Sequence, residues 1–188
     1  MRPQVWIVAG PNGAGKSTLT GRYLSGRLSV VNPDDIAREG IGVSPIEAGK
    51  EAIRRQRRYL AARVSFGWET TFSGNRELAF MREADQAGYK VNLAFVGIRN
   101  ARGAGLRVSE RVAAGGHDVP PVDIARRYHR SLRNLPEALA IAHRSFVFDN
   151  SGLHRRLLLS REDGITRHVS RNLTRWIIEA LPAAMLHR

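Results

Sequence analysis

The 188-residue sequence contains no cysteine. A disulfide framework, a thiolate metal site and a cysteine nucleophile are therefore excluded. The 6 histidines are scattered without the spacing of metal ligands, which argues against a histidine metal site. The sequence also lacks an apolar run of about 18 residues and an amino-terminal signal segment. From these absences we expect a cytoplasmic protein that does not span a membrane.

Lysine is scarce as well, because only Lys16, Lys50 and Lys90 occur among the 30 lysine and arginine residues. The net charge of +13 would suit a polyanionic partner such as RNA or DNA. Aromatic residues, however, make up only 7% of the chain, and the sequence indicates neither a stacking platform nor a nucleic-acid-binding motif. Nucleic acid is therefore an alternative partner that the sequence does not favour.

What the chain does have is a regular alternation of short apolar strands and helices. This alternation predicts an α/β fold, with a mostly parallel sheet and helices on both faces. The length fits a single domain, residues 1–188, whose core needs no disulfide. We predict strands at 4–9, 28–31, 65–68, 90–98 and 145–149, and a carboxy-terminal hairpin and helix within about 153–188. We predict helices at 19–24, 45–64, 75–87, 104–114, 122–143 (kinked or broken at Pro136) and 170–181.

The segment GPNGAGKST stands between the first strand and the first helix. Its glycines allow a left-handed backbone, and its N–H groups, together with the helix N-terminus, form a cradle for phosphate. Lys16 reaches the β- and γ-phosphates of a nucleotide, and the Ser17 hydroxyl is placed to ligate Mg²⁺. We therefore predict a P-loop that binds ATP or GTP. Its residues are Gly10, Pro11, Asn12, Gly13, Ala14, Gly15, Lys16, Ser17 and Thr18.

Polar residues also follow the next two strands, where an open α/β sheet binds its ligands. Asp34 and Asp35 come after the second strand, and we expect one to act as a base while its neighbour caps the next helix. Glu69 ends the third strand beside Thr71, and it is predicted to hold either an acceptor or a metal-bound water.

Arginines line the two helices of about 101–143, which we predict to form a lid over the triphosphate. The helices are joined by Gly115 and Gly116 and by a rigid Pro-Pro pair. Arginines on such a lid supply positive charge to the transferring phosphoryl group. Arg111 and Arg127 are the predicted lid arginines. His117 in the connection serves either packing or substrate contact.

Together these segments resemble the zeta toxin family in its short bacterial branch. The resemblance rests on GPNGAGKST, VNPDDIA, WETTFSG, GYKVNLAFVGI, RVAAGGHDVP, RRYHRSLRNLPEAL and FVFDNSG, which follow one another in the order of the family from Val5 to about Gly152. It implies the P-loop NTPase fold and a kinase that transfers the γ-phosphate of ATP or GTP to the 3′-hydroxyl of UDP-N-acetylglucosamine. It also implies a cognate antitoxin as a partner.

By the same resemblance, Asp34 matches the catalytic base, and Glu69 with Thr71 matches the acceptor-binding site. Lys16 and Ser17 match the nucleotide and Mg²⁺ residues. Arg111 and Arg127 match the lid arginines, although the spacing differs from that of the larger toxins. Arg126 or Arg130 is therefore an alternative second lid arginine, and Arg130 is a candidate for substrate binding. The competing functions are a kinase of nucleic-acid ends and an ATP-binding module without catalysis.

Overall fold

The computed structural model describes residues 2–40, 43–115 and 119–187. Within these ranges seven strands form one sheet. The strands are β1 (Gln4–Ala9), β2 (Ser29–Val31), β3 (Phe66–Thr70), β4 (Lys90–Gly97), β5 (Arg144–Asp149), β6 (Arg156–Glu162) and β7 (Ile165–Val169). The helices are α1 (Lys16–Tyr23), α2 (Pro33–Glu39), α3 (Pro45–Ala62), α4 (Asn75–Gln86), α5 (Ala101–Ala113), α6 (Pro121–Ile141) and α7 (Arg175–Ala180), followed by a 3-10 turn at Ala183–Met185.

The strand order is β2-β3-β1-β4-β5-β6-β7, and the first five strands of this order are parallel. The pairs β5–β6 and β6–β7 are antiparallel. The prediction of a mostly parallel α/β sheet is therefore confirmed. Because β1 lies between β3 and β4, the carboxyl ends of the three strands bring their following loops to one edge of the sheet.

The core lies on both faces of the sheet. On one face, β1 contributes Ile7 to a cluster that includes buried residues of α3, α4 and α7. On the other face, the neighbouring Val8 packs with residues of α1 and α5. Helix α6 contributes to both clusters, with Tyr128 on the second and Leu139 on the first. Both halves of α6 therefore contribute buried residues to the core, and the lid of about 101–143 stays a prediction.

Several details of the elements differ from the sequence prediction; for example, α5 begins at Ala101 and not at residue 104, and β3 is Phe66–Thr70 and not 65–68. Helix α1 begins at Lys16 and not at residue 19, so the end of the P-loop is already helical. Helix α6 runs through Pro136 without a break, because the flanking residues Leu135, Ala138 and Leu139 are anchored in the core. The closing helix is only Arg175–Ala180. Ahead of it the chain turns, with the Asn172 N–H bonded to Ser170 Oγ, a local bond that competes with helix formation.

The start of α3 at Pro45 agrees with the sequence prediction, and local hydrogen bonds explain it. Ser44 accepts a hydrogen bond from the Glu47 N–H, and the Glu47 carboxylate accepts one from the Ser44 N–H, which completes a capping box. Pro45 stands in the first turn, where its missing N–H costs nothing. Among the described residues, no helix has the length and apolarity needed to cross a membrane.

Candidate active site

The P-loop connects β1 to α1 in a conformation that depends on its glycines. Gly13 has φ 71°, and a Cβ placed there would lie 2.5 Å from the Ala104 carbonyl oxygen of α5. Gly15 caps the N-terminus of α1 with φ 90°. Both positions need glycine for its left-handed backbone, and Gly13 also for the close approach of α5. The N-terminus of α1 therefore opens towards a cleft at the carboxyl edge of the sheet, as a phosphate cradle requires.

Lys16 extends back along this loop. Its ammonium group donates a hydrogen bond to the Pro11 carbonyl oxygen at 3.0 Å, and the residue is 9% exposed. Burial lowers the pKa of Lys16, and the charges of Arg111 and Arg127 lower it further, whereas those of Glu69 and Asp34 raise it. The lysine therefore stands in the electrostatic field of four charged groups that the sequence analysis assigned to catalysis or substrate binding.

Glu69 is 6% exposed and is bound by two hydroxyl groups of α1. Ser17 Oγ donates to Glu69 Oε1 at 2.7 Å, and Thr20 Oγ1 donates to Glu69 Oε2 at 2.7 Å. The glutamate thus stands directly behind the hydroxyl that we predict to bind Mg²⁺. Of the two roles predicted for Glu69, this contact favours the holding of a metal-bound water.

The donor set beside the P-loop fits Mg²⁺ and not a metal held by a protein cage. Mg²⁺ prefers oxygen ligands and keeps several waters and substrate phosphate oxygens. The Ser17 hydroxyl and the Glu69 carboxylate supply such oxygens. The described residues contain no group of three or more histidine, cysteine or acidic side chains that would hold a metal ion by themselves.

Asp34 and Asp35 have different surroundings at the start of α2. The cap of this helix is Asn32, whose side-chain oxygen accepts from the Asp34 N–H at 3.0 Å. The expectation that an aspartate caps the helix is therefore wrong, because Asn32, directly before the first helical residue Pro33, has the extended backbone of a cap. Asp35 accepts from the Asn32 amide and pairs with Arg38. Asp34 is exposed and faces the cleft.

The loop after β3 carries hydroxyl groups into the cleft. Thr71 Oγ1 and Ser73 Oγ lie 3.1 Å apart, and both residues line the cavity. The intervening Phe72 is buried with φ 57°. Asn134 of α6 secures this loop by donating to the carbonyl oxygens of Phe72 and Gly74. Polar groups that can bind an acceptor are therefore held in a fixed loop.

Three arginines of α5 and α6 reach the same cleft: Arg107, Arg111 and Arg127. Arg126 instead pairs with Asp123 at 2.8 Å on its own helix, and neither Arg126 nor Arg130 is among the described residues that line the cavity. Of the alternatives for the second lid arginine, the geometry favours Arg127. Gly116 and His117 lie outside the described residues.

The cleft is a single cavity of about 660 Å³. It brings together side chains from the P-loop, the ends of β2 and β3, and the two arginine-bearing helices. The predicted site residues that line it are Asn12, Gly13, Gly15, Lys16, Ser17, Thr18, Asp34, Glu69, Thr71, Arg111 and Arg127. Gly10, Pro11 and Ala14 are buried in the loop behind it, and Arg130 is exposed elsewhere on α6.

The sequence analysis did not include Arg107 and Ser73 among the site residues. The signal for Arg107 was present, because residues four apart share a helix face and Arg111 was already assigned. Ser73 carried no comparable signal, since its place in the cleft depends on the turn at Phe72. The cavity lining also includes the apolar residues Pro45, Val119 and Pro120.

Comparison with known proteins supports this description of the fold. A complex of AvrRxo1-ORF1 with AvrRxo1-ORF2 and ATP contains a chain that matches 88% of this one with a TM-score of 0.68 and 16% identity. This chain covers 60% of the length of that protein. A structure of the PezAT toxin–antitoxin system of Streptococcus pneumoniae matches 82% of the chain, and 71% of its own, with a TM-score of 0.59 and 17% identity. No model of a known protein family matches the chain.

The structural matches to the AvrRxo1-ORF1:AvrRxo1-ORF2 complex and to the PezAT system show a shared fold, which agrees with the fold that the resemblance implied. A protein of unassigned function from Haemophilus influenzae is 30% identical over 139 residues, which cover 68% of this chain and 99% of that protein. The chain belongs to the same family as this Haemophilus protein.

Proposed function

We propose that the chain is a Mg²⁺-dependent phosphotransferase that moves the γ-phosphate of ATP or GTP to a hydroxyl group of a nucleotide sugar of the UDP-N-acetylglucosamine type. The observation that carries this proposal is the convergence of Lys16, Asp34, Glu69, Arg111 and Arg127 on one cavity. These residues come from separate elements, and together they provide the cation, base and metal-positioning groups that phosphoryl transfer needs.

In the proposed reaction, the oxygen of the acceptor hydroxyl forms a bond to the γ-phosphorus. The Asp34 carboxylate accepts the proton of that hydroxyl at the same time. The bond between that phosphorus and the bridging oxygen of the β-phosphate breaks, and the nucleoside diphosphate leaves. Lys16, Arg111 and Arg127 stabilise the negative charge on the transferred group and the leaving oxygen. Arg107, on the same helix face as Arg111, adds to this positive field.

Mg²⁺ would neutralise part of the phosphate charge in this site. The Ser17 hydroxyl would hold it, and the Glu69 carboxylate would orient a bound water or the Ser17 hydroxyl itself. Glu69 is well suited to this role because Thr20 Oγ1 fixes its second oxygen.

The part of the cleft formed by the loop after β3 is suited to bind a polar, uncharged group of the substrate. Thr71 and Ser73 present hydroxyl groups that both donate and accept hydrogen bonds, as sugar hydroxyls do. A cavity of about 660 Å³ lies within the usual range for small-molecule sites. We further propose a protein partner, because one structural neighbour was solved together with a second protein, AvrRxo1-ORF2, and another comes from the PezAT toxin–antitoxin system.

A kinase of nucleic-acid ends is the second candidate. Its specific support is the net charge of +13, together with the Pnkp1/Rnl/Hen1 RNA repair complex, which matches 69% of the chain with a TM-score of 0.56 and 20% identity. A module that binds ATP without transferring phosphate is the third.

The deciding experiment is phosphate transfer from γ-labelled ATP with Mg²⁺ to UDP-sugars and to short RNA and DNA oligomers. Wild type is compared with Asp34→Asn and with Asp35→Asn, a matched control one residue further along. We expect label on a UDP-sugar, its loss by a factor of at least about 10² in Asp34→Asn, and little change in Asp35→Asn. ATP binding should persist in both variants.

Label on oligonucleotides alone would replace the proposed acceptor by a nucleic-acid end. ATP binding without any transfer would favour the non-catalytic module. Full activity of Asp34→Asn would assign the base to another residue.

A further inference from the structure

The segment that follows β5 contacts the back of the P-loop. Asn150 Nδ2 donates a hydrogen bond to the Ala14 carbonyl oxygen at 2.9 Å. The backbone N–H of Asn150 donates to the Gly97 carbonyl oxygen at the end of β4, also at 2.9 Å. A Cβ on Gly15 would lie 2.6 Å from Asn150 Nδ2. Asn150 therefore bridges the P-loop and the carboxyl end of β4.

This bridge determines the direction of one peptide in the phosphate cradle. A trans peptide is planar, so its C=O and its N–H point in opposite directions. Because the Ala14 carbonyl oxygen points towards Asn150, the Gly15 N–H points away from Asn150. Gly15 lines the cavity and Ala14 is fully buried, which agrees with this orientation.

The residue before Asn150 is a buried carboxylate with three partners. Asp149 is 3% exposed. Its Oδ1 accepts from Trp176 Nε1 at 2.9 Å and from the Ser151 hydroxyl, and its Oδ2 lies 3.3 Å from Arg156 Nη2. Donors from the loop itself, from β6 and from α7 therefore hold Asp149, the residue that precedes Asn150 in the chain.

Trp176 is in turn held tightly against the sheet. It is 3% exposed, and its ring centroid lies 6.2 Å from that of Phe95 on β4. A Cβ on Gly97 would lie 2.3 Å from the Trp176 ring, so only glycine permits this approach. The carboxy-terminal hairpin and α7 are thereby connected to the nucleotide cradle through Trp176, Asp149 and Asn150.

We propose that Asn150 is a nucleotide-positioning residue, and that Asp149 and Trp176 hold it in place. Its ligand class is the polyphosphate of a nucleoside triphosphate. The inference rests on the proposed function only in that the P-loop must bind a nucleotide, and it is independent of the acceptor. It gives the residues after Gly152 a role in nucleotide binding.

The test measures the binding of Mg-ATP by calorimetry, in the absence of any acceptor. Asn150→Ala removes the donor to Ala14, and we expect the dissociation constant for ATP to rise about tenfold or more. Asn150 is only half-buried, so we expect the melting temperature to change little. Trp176→Phe keeps an aromatic ring and loses the indole N–H, and it should weaken binding in the same direction. Asn172→Ala, in an exposed turn before α7, is the matched control and should bind ATP as the wild type does.

Steady-state kinetics separate positioning from general damage. We expect Asn150→Ala to raise KM for ATP while kcat at saturating ATP and KM for the acceptor change less than threefold. An Asn150→Ala variant with wild-type ATP affinity would overturn the inference and leave the proposed function intact. A wild-type chain that bound no ATP would overturn both, and ATP binding without transfer would overturn the proposed activity alone.

Discussion

At the scale of single residues, Glu69 is the clearest case of a side chain whose role depends on its partners. Sequence allowed it to contact either an acceptor or a metal-bound water, and its hydrogen bonds to Ser17 and Thr20 favour the second role. We predict that Glu69→Gln raises the Mg²⁺ concentration needed for half-maximal activity by roughly 10- to 100-fold, as loss of an outer ligand partner typically does.

This prediction is checked by Mg²⁺ titrations of phosphate transfer at a fixed acceptor concentration. Glu77→Gln is a suitable control, because Glu77 accepts a hydrogen bond from Thr70 at the end of β3 and is not among the described residues that line the cavity. A Glu69→Gln variant with an unchanged Mg²⁺ requirement and a raised KM for the acceptor would return Glu69 to the acceptor-binding role.

The same scale shows what sequence could predict about the site. Lys16, Ser17 and the surrounding glycines were identified because a phosphate cradle imposes a fixed local spacing. Asp34 and Glu69 were identified because they end predicted strands. Asn150 also ends a strand, but its contact with Ala14 joins residues 136 positions apart, and nothing local signals such a contact.

At the scale of elements, α5 and α6 place arginines on opposite sides of a connection that the sequence marked by glycine and proline. The sequence analysis predicted Arg127 as the second lid arginine and kept Arg126 and Arg130, on the same helix, as alternatives. The turn of the helix separates them, because consecutive residues point about 100° apart. Arg127 therefore faces the cleft, whereas Arg126 pairs with Asp123.

We predict that Arg127→Ala lowers kcat by about 10³ or more, as removal of an arginine that stabilises the transferring phosphoryl group does. Arg126→Ala, the neighbouring control, should retain kcat within about threefold, because it removes only a surface ion pair. Both variants are compared in steady-state assays at saturating ATP and acceptor. Equal losses in the two variants would mean that the helix, and not one side chain, supplies the effect, and a change confined to KM would indicate ground-state binding.

At the scale of the whole molecule, the alternation of elements predicted the α/β class, but not the order of the strands. That order depends on which strands pair after each helix crosses the sheet, and the strands are too similar in composition to specify it. The length of α6 was predicted well, whereas its continuity through Pro136 reflects core packing by Leu135 and Leu139. Tertiary contacts overrode the local preference there.

Tyr128 connects α6 to the end of β4 and provides a test of global stability. Its hydroxyl donates to the carbonyl oxygens of Ile98 at 3.1 Å and Arg99 at 3.2 Å. Burial, with the nearby charges of Glu179 and Asp149, raises the pKa of Tyr128 from 10.0 to about 12. A raised pKa means that the folded state keeps a proton that the unfolded state has already lost. Tyr128 therefore stabilises the fold fully below pH 10, and we predict that this contribution is lost as the pH rises from 10 to about 12.

The measurement is denaturant unfolding of wild type and Tyr128→Phe at pH 8 and pH 11. We expect the wild type to be more stable at pH 8, by about 1 kcal/mol for the lost hydrogen bonds, and the difference to shrink or reverse at pH 11. Tyr23→Phe, at a residue 48% exposed on α1, controls for general effects of alkaline pH. A difference between wild type and Tyr128→Phe that stayed constant from pH 8 to pH 11 would contradict the raised pKa. It would also mean that the contact of Tyr128 on α6 with the residues after β4 does not depend on the protonated phenol.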